Sequence, residues 1–222
     1  MSELTIAVPR GALFGETLDV LDAVGISTAA VRGNDRKLLF EEEGLVTMRP
    51  SDVATYVEAG AADVGITGKD VLREQSEREV VELLDLGFGT TTMVFATEAG
   101  PDPAAEALRR LGVMRIATKY PRTAARFFAH TGRQVEIVEV KGSVELAPLT
   151  GLVEGIVDLT QTGTTLSENG LVVREEIYTS SARLIANPVA YRTKAAAIDA
   201  LLERIRRSDR LRLSEPGLRT AR

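Results

Sequence analysis

The stretch over residues 155–166, GIVDLTQTGTTL, limits the fold of this chain more than any other. Ile156-Val157-Asp158-Leu159 is an apolar run of strand length broken only by an acid, and a hydroxyl-rich segment with a single glycine follows it at once. This is a buried strand opening through a loop onto a helix N-terminus. Backbone N–H groups at such a turn are unpaired and sit at the positive end of a helix dipole. The hydroxyls of Thr162, Thr164 and Thr165 add donors around Gly163, so the segment predicts a phosphate cradle. Asp158, at the end of the strand, does not bind phosphate directly but accepts hydrogen bonds from sugar hydroxyls. The natural guest is a ribose phosphate.

The rest of the chain alternates strand and helix, the pattern of an α/β protein. Residues 4–8 read as a strand, and Pro9-Arg10-Gly11 turns into a helix with Leu18, Leu21 and Val24 inside, ending at Gly25. Residues 38–40 and 45–48 flank a tight connection. Pro50-Ser51 starts a helix with Val53, Tyr56 and Val57 on its inner face, and Gly60 ends it. Strands follow at 63–68 and 80–86. A second α/β unit takes strands at 93–96, 115–118 and 135–140, helices at 104–111 and 123–129, a short turn at 143–148, and the opening stretch. Strands at 172–178 and 184–186 precede a last helix at 194–206 with Ile198, Leu201, Leu202 and Ile205 on one face.

Asp63-x-x-x-Thr67-Gly68 repeats the acid-to-glycine spacing of Asp158-x-x-x-Thr162-Gly163, which suggests two corresponding strand ends in two lobes around a cleft. Common nucleotide motifs fail. Gly68-Lys69 lacks the glycine five positions upstream, and Asp70 stands where a P-loop needs Ser or Thr. Gly87-Phe88-Gly89 has no third glycine for a dinucleotide fingerprint. His130 is the only histidine, at the end of a helix, and reads as solvated rather than catalytic or metal-binding.

Composition narrows the partners. The absence of cysteine removes disulfides, thiolate nucleophiles and cysteine metal sites, and fits a cytoplasmic location. No window approaches the roughly 18 apolar residues of a membrane span, and the N-terminal apolar run is too short for a signal peptide. A net charge of −5 argues against general nucleic-acid binding. Residues 206–222 carry six arginines against Asp209 and Glu215, so the remainder is more acidic than the whole. A body that acidic, holding phosphates, calls for Mg²⁺ beside its basic side chains. Residues 209–222 have no apolar period and are expected to be disordered or ordered by a partner.

Glu145-Leu146-Ala147-Pro148-Leu149-Thr150-Gly151, the stretch 156–166 and Asn169-Gly170 together resemble the signature of the ATP phosphoribosyltransferase family. The likeness extends through Arg49-Pro50-x-Asp52-Val53, Ala62-Asp63-x-Gly65-Ile66-x-Gly68-x-Asp70, residues 115–121 (RIATKYP) and Asn187-Pro188-Val189-x-Tyr191. The length is similar to the short form, which lacks a histidine-sensing domain and works with a regulatory subunit similar to histidyl-tRNA synthetase.

The resemblance implies a type II, periplasmic-binding-protein-like α/β fold, with residues 1–91 and 180–208 in one lobe and 92–179 in the other. It implies that N1 of ATP attacks C1 of phosphoribosyl pyrophosphate (PRPP) with inversion, and that magnesium-bound pyrophosphate leaves. Such a displacement needs alignment and charge neutralisation more than a protein nucleophile. Glu145, Asp158, Thr162, Gly163, Thr164 and Thr165 are expected on PRPP, with Glu145 also a candidate for the Mg²⁺. Gly11, Arg49, Asp63, Thr67, Gly68, Asp70 and Lys119 are expected on ATP. Arg10, Arg36 and Asp158 are the expected catalytic groups, and a homodimer is expected. The family's Pro-Lys-Gly-Arg turn is here Pro9-Arg10-Gly11-Ala12. Loss of one preorganised cation there is expected to cost on the order of 3 kcal/mol, about two decades in rate, unless Arg36 compensates. Two alternatives stay open: a nucleotide-binding or regulatory paralogue with weak or no turnover, and a phosphoribosyltransferase for another base.

Overall fold

The computed structural model describes residues 3–75 and 77–208, so the tail expected to be disordered lies outside the described residues. In chain order the elements are β1 (Ile6–Pro9), α1 (Phe14–Ala23), α2 (Ala29–Arg32), β2 (Leu39–Phe40), β3 (Leu45–Met48), α3 (Pro50–Glu58), β4 (Val64–Gly68), α4 (Lys69–Glu74) and β5 (Val81–Asp85). Next come β6 (Thr91–Glu98), α5 (Pro103–Leu111), β7 (Met114–Thr118), α6 (Pro121–His130), β8 (Val135–Glu139), α7 (Leu146–Leu149), β9 (Gly155–Thr160), α8 (Thr164–Glu168) and β10 (Leu171–Ser180). The chain ends with β11 (Ala182–Ala186), α9 (Pro188–Thr193) and α10 (Ala195–Arg207). Two compact units result: residues 1–89 with 181–222, and residues 90–180.

In the first unit the sheet order is β2-β3-β1-β4-β11-β5, with β1 parallel to β3 and β4, and β11 antiparallel to β4 and β5. Apolar side chains cover both faces. Leu18, Leu21, Leu45, Ile198, Leu201 and Ile205 share one cluster, while Ala7, Met48, Val53, Val57 and Ile185 form the other. α3 starts at Pro50, whose missing N–H is no loss in a first turn. It lies so close to β4 that a Cβ on Gly65 would meet Val53 Cγ1 at 2.6 Å and Val57 Cγ2 at 2.8 Å. Tyr56, expected on the inner face, is 46% exposed, and Ala54 is buried instead. At 100° per residue, positions 53, 54 and 57 share one stripe and 56 falls outside it. The short helices α4 and α9 have too few turns to show a period. Asn187 starts α9, its Oδ1 accepting from the N–H groups of Val189 and Ala190 while its Nδ2 donates to the carbonyls of Val57 and Glu58.

In the second unit the order is β10-β6-β9-β7-β8, with β7 parallel to β8 and β9 and β6 antiparallel to β9 and β10. Met93, Phe95, Met114, Ile116, Phe128 and Val157 pack on one face, Val94, Ala96, Ala117, Ile156, Leu166 and Leu171 on the other. Arg115 clamps Glu154 by its backbone N–H at 2.5 Å, Nε at 3.1 Å and Nη2 at 2.5 Å. Burial raises the Glu154 carboxyl, but the Arg115 hydrogen bonds and charge outweigh it and hold the group below the usual range.

The spacing shared by the two acid-to-glycine motifs does not correspond to shared placement. Asp158 is the fourth residue of β9, with Thr162-Gly163 in the loop beyond, whereas Asp63 precedes β4, and Thr67-Gly68 are that strand's last residues.

Candidate active site

Parallel strands present their carboxyl ends at one edge, where loops and helix starts collect ligand-binding groups. In the second unit that edge is formed by β7, β8 and β9. Asp158 is 6% exposed, set in β9 opposite Val94 of β6. Its Oδ1 accepts from the N–H of Leu159 at 2.8 Å and lies 3.3 Å from Lys119 Nζ. No partner among the described residues takes its Oδ2. Burial pushes the Asp158 carboxyl above the ordinary range, against the Lys119 charge and the Leu159 N–H, while the nearby Glu145 charge pushes the same way as burial.

Lys119 reaches Asp158 because of Thr118. The Thr118 hydroxyl donates to the carbonyl of Val157 at 2.6 Å and accepts from the N–H of Tyr120 at 2.9 Å, bending the chain as it leaves β7. The Lys119 ammonium also lies over the Tyr120 ring, 5.4 Å from its centroid. Lys119, expected from sequence on ATP, is paired with Asp158. Glu145 is half-buried at the start of α7, beside Ser143, the single non-glycine residue with positive φ among those described, at 22°.

The hydroxyl-rich turn is built by its own side chains. Gly163 has φ 77°, its N–H donates to Thr160 Oγ1 at 2.9 Å, and Thr162 and Thr164 share a hydrogen bond between hydroxyls at 2.8 Å. The N–H groups of Thr162, Thr165 and Leu166 meet no acceptor among the described residues. Thr160 is a shaping residue that the sequence reading missed; a hydroxyl three positions before a turn glycine is the signal that marks it. An acceptor-rich carboxylate and free donors thus stand on consecutive stretches of one strand and loop.

The first unit has a comparable edge at the carboxyl ends of β1, β3 and β4. It carries Arg10 and the exposed Gly11 after β1, the exposed Arg49 after β3, and Gly68 and Asp70 at the passage from β4 to α4. A Cβ on Gly68 would lie 2.1 Å from Asp70 Oδ1, so a side chain there would require the Asp70 carboxylate to move. Thr67 is fully buried and donates to the carbonyl of Pro50 at 2.9 Å, so its hydroxyl serves the fold. Asp63 is at the opposite end of β4. Its Oδ2 accepts from the N–H of Thr5 and from Lys194 Nζ, both at 2.8 Å, which makes it an internal tie rather than part of the Gly68–Asp70 edge. Arg10 points its guanidinium at the carbonyls of Asp35 and Lys37 and the hydroxyl of Thr47, while Arg36 is exposed without an ion pair among the described residues.

Among the described residues no group of three or more His, Cys, Asp or Glu could hold a metal ion, and no helix is long and apolar enough to cross a membrane. The profile of the family described as "HisG: ATP phosphoribosyltransferase" matches residues 49–207. The chain belongs to the ATP phosphoribosyltransferase family. It is 53% identical over 213 residues to the ATP phosphoribosyltransferase of Rubrobacter xylanophilus, covering 95% of this chain and 98% of that one. Identity to the Bacillus licheniformis enzyme of the same name is 47% over 207 residues, 91% and 94% of the two chains. Among solved structures, a chain of the ATP phosphoribosyl transferase (HisG:HisZ) complex from Thermotoga maritima superposes with TM-score 0.79 at 34% identity, over 95% and 99% of the chains. Tv2483 bound to L-arginine superposes with TM-score 0.56 at 13% identity, over 95% and 88%, a likeness of fold alone. The fold is that of type II two-lobed α/β proteins. As an ATP phosphoribosyltransferase, the chain transfers the phosphoribosyl group of PRPP to N1 of ATP and releases pyrophosphate, the first step of histidine biosynthesis.

Proposed function

We propose that the second unit binds PRPP and that the first meets ATP and the departing pyrophosphate. The observation that carries this division is Asp158, a buried carboxylate with one free oxygen, directly followed by a turn with unsatisfied N–H groups. Its free Oδ2 accepts from the ribose hydroxyls, and the turn of Thr162, Gly163, Thr164 and Thr165 takes the 5-phosphate. Lys119 offsets the Asp158 charge. Two neighbouring acids, Glu145 and Asp158, suit a Mg²⁺ that keeps most of its ligands from water and substrate phosphates, with Glu145 the candidate to face it. When bound there, the ion neutralises charge on the leaving pyrophosphate.

Gly11, Arg49, Gly68 and Asp70 are assigned to ATP, and Arg36 to the pyrophosphate. The N1 lone pair forms the bond to C1 as the C1–O bond breaks on the opposite face, and its electron pair departs with pyrophosphate. No protein nucleophile takes part; the chain aligns two substrates and meets developing charge. Pyrophosphate release should require ATP and PRPP together. Release with another base and not with ATP would remove this reading.

Ala12 is exposed in the turn before α1, so a longer side chain fits there. With Arg36 already supplying a cation, Ala12→Arg should raise kcat by about three- to tenfold, with both substrates saturating. An unchanged kcat would mean that Arg36 fills the role alone. The Thermotoga maritima structure is titled as a HisG:HisZ complex, which supports a histidyl-tRNA-synthetase-like regulatory partner here. Micromolar histidine should therefore inhibit pyrophosphate release only when such a partner is added. Inhibition of the isolated chain would contradict this.

A further inference from the structure

We propose that Arg10 is a positioning residue that builds the cationic turn over residues 34–37 and acts on the reaction only through Arg36. The proposal rests on the assignment of Arg36 to the departing pyrophosphate. Arg10 Nη1 donates to the carbonyl of Asp35 at 2.5 Å, Nη2 to the carbonyl of Lys37 at 3.0 Å, and Nε to Thr47 Oγ1 at 3.0 Å. None of these acceptors is a carboxylate. The guanidinium carbon lies 5.6 Å from the Phe14 ring centroid, which holds its plane from one side.

The turn is fixed by further bonds. Asn34 Oδ1 accepts from the N–H groups of Arg36 at 3.1 Å and Lys37 at 3.0 Å, and the N–H of Thr47 donates to the carbonyl of Leu38 at 2.7 Å. The Lys37 ammonium is placed over the Phe40 ring, 5.1 Å from its centroid. Arg36 is left exposed, on a backbone that cannot move without breaking several bonds. Two carbonyls and a hydroxyl are reached at once only by a planar fork with separate donors. A lysine ammonium concentrates its donors at one point and cannot span them. Arginine at position 10 is thus suited to ordering a neighbouring loop.

The test uses the full chain and the variants Arg10→Met, Arg10→Lys and Arg36→Met. Limited trypsin digestion, followed bond by bond by mass spectrometry, reads the opening of the turn at Arg36 and Lys37. Cleavage there should accelerate at least about tenfold in Arg10→Met and less in Arg10→Lys, with the remaining sites unchanged. In pyrophosphate release, Arg10→Met should lower kcat about tenfold in the native background and have no effect in the Arg36→Met background. Native cleavage rates in both Arg10 variants would overturn the clamp. Multiplied losses in the double variant would make Arg10 a substrate ligand and overturn its action through Arg36. Native kcat in Arg36→Met would remove the pyrophosphate assignment and the kinetic half of the proposal, while digestion would still decide the structural half.

Discussion

Asp158→Asn is expected to lower kcat/KM for PRPP by about 10²-fold or more and, at neutral pH, to raise the thermal midpoint. The kinetic loss follows from replacing a charged acceptor for ribose hydroxyls by a neutral amide, worth about 3 kcal/mol at a buried carboxylate. The gain in stability follows from burial. Desolvation first, and then Glu145, raise the folded-state pKa of Asp158 above its unfolded value, in spite of Lys119 and the Leu159 N–H. Folding therefore favours the protonated acid. That contribution is complete below the unfolded value of 3.8 and is lost as pH rises through the raised folded value, so the ionised group costs stability at neutral pH. An amide removes the cost, and Lys119, 42% exposed, stays hydrated when its partner is gone. On acidification, kcat/KM for PRPP should fall at a pH above the ordinary carboxylate range, and the variant should lack that limb. ATP affinity by calorimetry should not change. Equal losses of ATP and PRPP binding would assign Asp158 to the fold instead.

Substitution at Gly163 should separate conformation from space. A Cβ there would have no atom within 4 Å, yet φ is 77°, where a side chain is strained. Gly163→Val should cost about 1–3 kcal/mol locally and drive the turn out of shape, raising KM for PRPP by about 10²-fold. Gly163→Asn should keep most of the affinity, since asparagine tolerates the left-handed region. The measurement is PRPP affinity across glycine, asparagine, alanine and valine. Equal effects for asparagine and valine would mean that crowding by substrate, not backbone shape, requires glycine.

What sequence revealed of the site depended on distance along the chain. The strand bearing Asp158 and the hydroxyl turn after it were legible as local structure because strand, acid and donors are contiguous. The pairing of Lys119 with Asp158 could not be read because the two lie 39 residues apart, across the pairing of β7 with β9. The tie from Asp63 to Lys194 was hidden for the same reason, the two being 131 residues apart. The contacts of Arg10 had no sequence signal at all: two of its acceptors are carbonyl oxygens, which every residue carries. Alternation of strands and helices was clear wherever a period ran long enough, and failed at Tyr56, where a single helical step decides between core and solvent.

Among the described residues β5 has β11 as its only neighbour in the first sheet, and β11 follows it only after the whole second unit has been made. During synthesis the gap between them takes about 5–20 s at roughly 5–20 residues per second. All strands of the second sheet precede β11 in the chain, so they are synthesised while the first sheet still lacks its fifth strand in line. The part translated first is completed last. Until β11 is available, β4 offers an open edge to any extended chain.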